Sequence, residues 1–377
     1  MKTIQHPITL TNSYPLERIA PLDSILFFDI ETTGFSGDTS NLYLIGCIFY
    51  QKETANWRMI QWFADTKDSE PDLLTAFFTL LKGYSTLIHF NGDLFDIPYL
   101  LKRCRHYHLD YDFSQVTSID IYRKIRPYKK LFGLKSLKQK SIEQFLGIDR
   151  TDCCSGGQLI EVYEDYLVSH DQFLYDMLIL HNEDDLKGMS LILPILSYPD
   201  MLEQPSRLSA QRILHQQEFS SESGLLPDTV MMDFPVLELI YENQCSVPVP
   251  FRIPSSLGSL SVSGSQIICQ IPLYEGELKY FYPNYKDYYY LPCEDTAIHK
   301  SVGEYVAREA RVKATAKTCY TRKSGLFLPQ SPDAPLWQPV FQKEYKAKTA
   351  YAAYTEALLS DPGTADTYLH QLFTEAV

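Results

Sequence analysis

The chain is 377 residues long, 45% hydrophobic by composition, and carries a formal net charge of −13. That length provides for two domains with cores of their own, and the acidity excludes a protein that coats nucleic acid indiscriminately. The N-terminal residues lack an apolar leader, no run approaches the roughly 20 apolar residues of a membrane span, and the eight cysteines show no paired metal-binding spacing, so a reduced, cytoplasmic setting away from membranes is expected.

Residues 24–34, Ser-Ile-Leu-Phe-Phe-Asp-Ile-Glu-Thr-Thr-Gly, open on an apolar run that predicts a buried strand turning at Gly34. Side chains alternate along a strand, so Asp29 and Glu31 point to one face. Two carboxylates side by side inside a domain repel each other and lose hydration; they persist by sharing a proton or holding a cation. An exposed pair at a strand end is the plain alternative. Residues 41–50 and 57–63 predict two further strands of an antiparallel meander, 70–82 a helix, and 86–90 another strand. Asn91-Gly92 reads as a turn presenting Asp96, with Asp93 a solvated loop acid. Pro98 sits in the first turn of a helix running to about residue 107. A short strand at 116–121 follows, then helices at 134–147 and 158–197 with Gly156-Gly157 as the break. The last of these carries His181-Asn182-Glu183-Asp184-Asp185.

Pro194, Pro199 and Pro205 mark the end of a first domain, 20–198. Residues 199–245 are predicted as a connector, helical over 206–245. From 246 to 377 the character is β-rich with a helical tail. Alternating runs at 259–263, 266–271, 277–282 and 288–291 predict antiparallel strands. Asp295 reads as the cap of a helix over 296–310. Residues 311–323 alternate like a strand, Lys323-Ser324-Gly325 reads as a turn into 326–328, and 340–377 as helix broken at Asp361-Pro362-Gly363. The class is α/β: a mixed sheet with flanking helices, then a smaller α+β C-terminal unit.

Three blocks supply four acids, Asp29, Glu31, Asp96 and Asp185. Hard oxygen donors with few histidines suit Mg²⁺ or Mn²⁺ better than zinc. Two such ions about 4 Å apart activate a water and stabilise the leaving oxygen of a phosphodiester. His181 and Asp185 lie four residues apart and share a helix face. Neutral imidazole is a competent general base near pH 7; a structural histidine is the alternative. Asp184 competes with Asp185 for the fourth position. Asp120 is an accessory acid or a strand-end acid without a role.

FDIETTG at 28–34, NGxxFDxPxL at 91–100 and HNEDDL at 181–186 together resemble the bacterial YprB-type ribonuclease-H-like domain of the DEDD exonuclease superfamily. The resemblance covers residues 20–198. It implies a ribonuclease-H-like mixed sheet with flanking helices and two-metal hydrolysis by a 3′→5′ exonuclease. Asp29, Glu31 and Asp185 would bind one ion, and Asp29 would bridge to a second held by Asp96. It also implies that Thr32 and Thr33 touch the terminal nucleotide, where a plain turn is an adequate alternative. One departure stands out: His181 occupies the spacing of the superfamily's tyrosine type. The helical repeats that such proteins can carry after the nuclease domain have no counterpart in a repeat period here.

Charge is uneven. Residues 102–140 hold 11 Lys/Arg against 3 Asp/Glu, and 296–350 hold 10 against 4. The first island includes Arg123, Lys124, Arg126, Lys129 and Lys130, interleaved with Tyr122, Tyr128 and Phe132, a pattern suited to a phosphate track with base stacking. In the second, strand alternation puts Arg311, Lys313, Lys317 and Lys323 on one face. Solvated faces are the competing account of both. The expected function is a metal-dependent nuclease on DNA or RNA with two Mg²⁺ or Mn²⁺ ions. The alternatives are a structure-specific endonuclease and a non-catalytic nucleic-acid-binding scaffold with a degenerate site.

Overall fold

The structure, a computed structural model, describes residues 1–11, 13–148, 156–215 and 234–374. The chain divides into two compact units, Met1–Asp200 and Met201–Val377. No helix among the described residues is long and apolar enough to cross a membrane.

The first unit is built on one sheet of β1 (Lys2–Ile8), β2 (Ile25–Thr32), β3 (Leu42–Gln51), β4 (Asn56–Phe63), β5 (Thr86–His89) and β6 (Thr117–Asp120), in spatial order β1-β4-β3-β2-β5-β6. The strands from β1 to β2 are antiparallel, and β5 and β6 continue the sheet parallel to β2. Ile25 to Phe28 are fully buried, as the apolar run predicts. β1 is absent from the sequence expectations. Its residues are only half-buried at alternate positions, a weak signal, and its Pro7 suits an edge strand.

The helices are α1 (Glu70–Leu81), α2 (Asp96–His106), α3 (Ile121–Ile125), α4 (Gln139–Phe145), α5 (Gly156–Ser169), α6 (Gln172–Leu191) and α7 (Ser197–Glu203). On α1, Leu73, Leu74, Phe77, Phe78 and Leu81 form the buried stripe; truncating a core phenylalanine such as Phe77 to alanine costs about 3–5 kcal/mol. The helix expected at 134–147 shrinks to α4, because Gly133 is left-handed (φ 61°) and Lys138 is extended (ψ 149°). The expected 158–197 helix breaks at His170 (φ 54°), after which Asp171 caps α6 by accepting from the Phe173 N–H at 2.7 Å. Of the expected break at Gly156-Gly157, Gly156 is the first residue of α5; residues 149–155 lie outside the described residues.

A buried clamp joins α1 and α2 to the start of β3. Glu70 accepts from Arg103 Nε (2.5 Å) and Nη2 (2.7 Å), Tyr107 OH (2.9 Å), Asn41 Nδ2 (3.0 Å) and the Leu42 N–H (3.1 Å). Arg103 Nη1 also donates to the Gly37 carbonyl at 3.1 Å. Both charges are therefore hydrogen-bonded on several sides, the condition under which a buried pair is tolerated.

In the second unit β7 (Arg207–Leu214), β8 (Val236–Ser255) and β9 (Gly258–Pro272) form a three-stranded antiparallel sheet. β10 (Tyr274–Phe281) joins the later strands β14 (Tyr320–Gln330), β15 (Phe341–Gln342) and β16 (Ala350–Ala353) in a closed barrel. Between them β11 (Tyr288–Leu291), β12 (Thr296–His299) and β13 (Val312–Lys313) make a small sheet, with α8 (Lys300–Gly303) after β12; α9 (Pro362–Thr374) is the last described helix.

Several expectations are corrected in this unit. The described parts of 206–245 are mostly strands, not a helical connector. Short apolar runs do not separate helix from strand by periodicity, and 216–233 lie outside the described residues. The helix expected at 296–310 shrinks to α8 and a 3₁₀ turn at Arg308–Ala310, because 296–299 form β12, which pairs with β11. Asp295 (φ 47°) caps nothing there; it accepts from Tyr290 OH at 2.5 Å and pairs with Tyr320 and Arg322. Residues 311–323 are not one strand, since the chain turns at Thr315–Cys319 (Cys319 N–H to Thr315 carbonyl, 2.9 Å). Arg311, Lys313, Lys317 and Lys323 therefore do not share a strand face. Lys323-Ser324-Gly325 is no turn either, because β14 runs through it with Gly325 opposite Gly276. Among the described residues of 340–377 the helix is confined to α9 and a 3₁₀ turn at Glu356–Leu359. The alanine-rich segment at 350–353 pairs into the barrel instead, a tertiary override of helix propensity.

Candidate active site

Asp29 and Glu31 stand near the C-terminal end of β2, beside the parallel strand β5. Ligands of open α/β sheets gather outside such ends. Immediately after Glu31 the β2–β3 register slips: Glu31 faces Leu44 and Thr32 faces Leu42, leaving Tyr43 as a bulge residue. The buried Tyr43 hydroxyl hydrogen-bonds to Glu31 and its ring stacks on Tyr163 at 4.3 Å.

Asp96 begins α2 after a tightly held turn. Asn91 is left-handed (φ 63°) and its N–H donates to Asp120 Oδ1 at 3.0 Å. The Gly92 N–H donates to His89 Nδ1 at 3.0 Å, and a Cβ at Gly92 would sit 2.6 Å from that nitrogen. Asp120 also accepts from the N–H groups of Asp93 (3.2 Å) and Arg123 (3.1 Å), so it caps α3 and fastens the turn. Asp93 is not a solvated loop acid: it accepts from Ser118 Oγ at 2.5 Å and Arg123 Nη1 at 3.0 Å.

α6 contributes the rest. Its buried face carries Leu178, His181, Asn182, Leu186 and Met189. His181 Nε2 lies 3.3 Å from Asp185 Oδ2 and 3.6 Å from Glu31 Oε1. Asn182 Nδ2 donates to Asp29 Oδ2 at 2.9 Å.

The five groups line a cleft of about 780 Å³ together with Phe90, Phe95, Tyr122, Lys129, Lys135, Lys138 and Lys140. Burial, then the charges of Glu31, Asp185 and Asp96, push Asp29 well above the usual carboxylate range, against the Asn182 hydrogen bond. Burial pushes Asp96 up to about 7; Asp120 adds to this, while backbone hydrogen bonds from Asp96 and Ile30 oppose it. Such crowding of acids is what a bound cation relieves. Glu31, His181 and Asp185 each place a ligand atom within 4.8 Å of the others. The donor set is oxygen-rich with one imidazole, and fits a hard divalent cation.

Residues 26–196 match the model of RNase_H_2, described as RNase_H superfamily. The first unit contains a ribonuclease-H-like domain. No curated protein matches the chain. Among solved structures the chain is similar to the family B DNA polymerase of the hyperthermophilic archaeon Pyrobaculum calidifontis, at 11% identity and a TM-score of 0.36, over 68% of this chain and 33% of the polymerase. The chain thus spans about a third of that polymerase's length.

Within the ribonuclease-H-like domain the expected acids and His181 meet at one place, while the expected contact residues scatter. Thr32 Oγ1 donates to the Gly34 carbonyl at 2.9 Å and Thr33 Oγ1 accepts from the Asn41 N–H at 2.9 Å, so both serve the turn. Arg123 pairs with Asp93 at 3.0 Å; Lys124, Arg126 and Lys130 are exposed; Lys129 lines the cleft. Sequence reasoning missed Tyr43, Asn182 and the lysines at 135, 138 and 140. The signals were present but local reading gave them no target: Asn182 sits between His181 and Asp185, and the lysines close the first basic island.

Proposed function

We propose that the ribonuclease-H-like domain hydrolyses phosphodiester bonds of DNA or RNA as a metal-dependent 3′→5′ exonuclease of the DEDD type. The supporting observation is the meeting of four carboxylates and an imidazole, from β2, the start of α2 and α6, in a cleft walled by lysines. Asp29, Glu31 and Asp185 would hold one ion, with Asp29 shared toward a second at Asp96. Mg²⁺ or Mn²⁺ bound there supplies water activation and charge neutralisation at the phosphate. The protein's own groups do the rest. His181 Nε2, beside Asp185 and Glu31, takes the proton of the attacking water. Lys129, Lys135 and Lys138 hold the substrate backbone. Phe95 and Tyr122 offer ring faces to bases.

Digestion of end-labelled linear and circular DNA and RNA with Mg²⁺ or Mn²⁺ tests this. Linear strands should shorten from the 3′ end while circles resist. Cut circles would overturn the exonuclease in favour of an endonuclease. Tight binding with no cleavage under either metal would overturn catalysis altogether.

A further inference from the structure

Asp29, Gly46 and Gln61 form a row across the sheet. Asp29 on β2 is the register partner of Gly46 on β3, and Gly46 is the partner of Gln61 on β4. Cross-strand partners project to the same face. The middle position lacks a side chain, and Asn182 of α6 fills the gap: a Cβ at Gly46 would lie 2.0 Å from Asn182 Oδ1 and 2.6 Å from Leu186 Cδ1. A glycine inside a strand marks such a close approach.

The hydrogen bonds along this row have one direction. Gln61 Nε2 lies 3.0 Å from the Ile179 carbonyl, which only accepts. That contact fixes Gln61 with its amide donor toward Asn182, and Nε2 also donates to Asn182 Oδ1 at 3.0 Å. Asn182 must then present its own NH₂ to Asp29 Oδ2, at 2.9 Å. Both amides are fully buried, and Gln61 Oε1 has no hydrogen-bond partner among the described residues. An unpaired buried acceptor is destabilising, so this polarity is kept at a loss in stability. Turning the Gln61 amide over would set its oxygen against the Ile179 carbonyl.

We propose that Asn182 is a positioning residue for metal binding: its amide, oriented by Gln61 and admitted by Gly46, holds Asp29 Oδ2 and leaves Oδ1 turned to the cation. This rests on the reading of Asp29 as a metal ligand. Because Asn182 lies one residue after His181 and three before Asp185, the same contact sets the rotation of α6 that places those two groups beside Glu31.

The test is Mn²⁺ binding by electron paramagnetic resonance of free Mn²⁺, with melting of the metal-free protein, for Asn182→Leu, Gln61→Met and Asp29→Asn. Asn182→Leu keeps the volume and deletes the donor. Partners of metal ligands are typically worth about 10–100-fold in metal affinity. We expect that loss in Asn182→Leu, a smaller one in Gln61→Met, and abolished tight binding in Asp29→Asn. Folded Asn182→Leu with wild-type Mn²⁺ affinity, whatever its melting temperature, reduces Asn182 to a packing residue and overturns the proposal. If Asn182→Leu does not fold, Gln61→Met decides, since it removes the orphan oxygen and leaves Asp29 untouched; wild-type affinity there overturns the proposal equally. Wild-type affinity in Asp29→Asn would instead bring down the metal-site reading, and this inference with it.

Discussion

Among its described residues the ribonuclease-H-like domain holds two clusters of one histidine and two acids, and they lie in different surroundings. His89, Asp93 and Asp120 lie as close together as Glu31, His181 and Asp185. In the first cluster the protein supplies the partners. His89 Nδ1 accepts from the Gly92 N–H at 3.0 Å, its Nε2 meets Ser118 Oγ at 2.7 Å, and Asp120 takes three backbone N–H groups. In the second, Glu31, His181 and Asp185 line the cleft beside Asp29, which burial and then its acidic neighbours raise. Ligand-type residues at ligand distances do not by themselves make a metal site; the first cluster spends its oxygens on backbone N–H groups that hold a turn, whereas the second lines the cleft. The cations divide the same way. Lys102 pairs with Asp38, Arg103 with Glu70 and Arg123 with Asp93, whereas Lys129, Lys135 and Lys138 line the cleft.

The sharpest way to break the comparison is to remove Asp120 from the first cluster and, separately, Asp29, the acid that lies against the second. Asp29→Asn should reduce hydrolysis to background while the metal-free protein melts at or above the wild-type temperature, because crowding is relieved. Asp120→Ala should do the reverse, lowering stability by roughly 3 kcal/mol through stranded backbone donors and retaining measurable turnover. Equal activity loss in both would erase the distinction. Next come the histidines. In single-turnover assays at saturating metal, His181→Ala should slow cleavage about 10²–10⁴-fold, while His89→Ala should act mainly on the melting temperature.

A subtler contrast concerns pH. Asp29 and Asp96 are both raised in the folded protein, Asp96 to about 7. Between the ordinary aspartate value of about 4 and that point, the folded state keeps protons that the unfolded chain has released, so metal-free stability falls as pH rises. Melting curves across this window should show the decline, Asp96→Asn should flatten it, and Mg²⁺ should oppose it. A melting temperature rising with pH over the same range would contradict the burial of these acids. The smallest effect is expected from the cations. Changing Lys129, Lys135 and Lys138 to Gln should make the salt dependence of substrate binding shallower by up to about 0.7–0.9 per lost phosphate contact. Arg123→Gln should leave the slope nearly unchanged, as should replacing Arg311, whose guanidinium stacks on Tyr289 at 4.6 Å.

What the sequence shows and what it hides follow from the range of each interaction. Asp29, Glu31 and Asp96 are legible because their spacing on a strand and before a helix is local. The His181–Asp185 pair is legible because four residues make one helical turn. The Asp29–Gly46–Gln61 row is not, since it depends on the registers of three strands, and Gly46 reads only as an unremarkable residue in an apolar run. Asp93 reads as solvated because Ser118 and Arg123, its partners, lie 25 and 30 residues away. In the second unit, the alanines of β16 favour a helix. Closing the barrel against β14 outweighs that preference, and no local pattern announces it.

The Glu70 clamp has a consequence for how a strand end would enter. It ties Gly37, Asn41 and Leu42 to α1 and α2, so the turn after the acidic strand is set before anything arrives. Little ordering entropy is then spent on capture. The Leu42 amide, held by a buried carboxylate, should be among the slower to exchange with deuterium in the free protein, and adding an oligonucleotide should change its protection little. Adaptation to different strand ends would fall to the lysine-bearing segment between α3 and α4, which lines the same cleft.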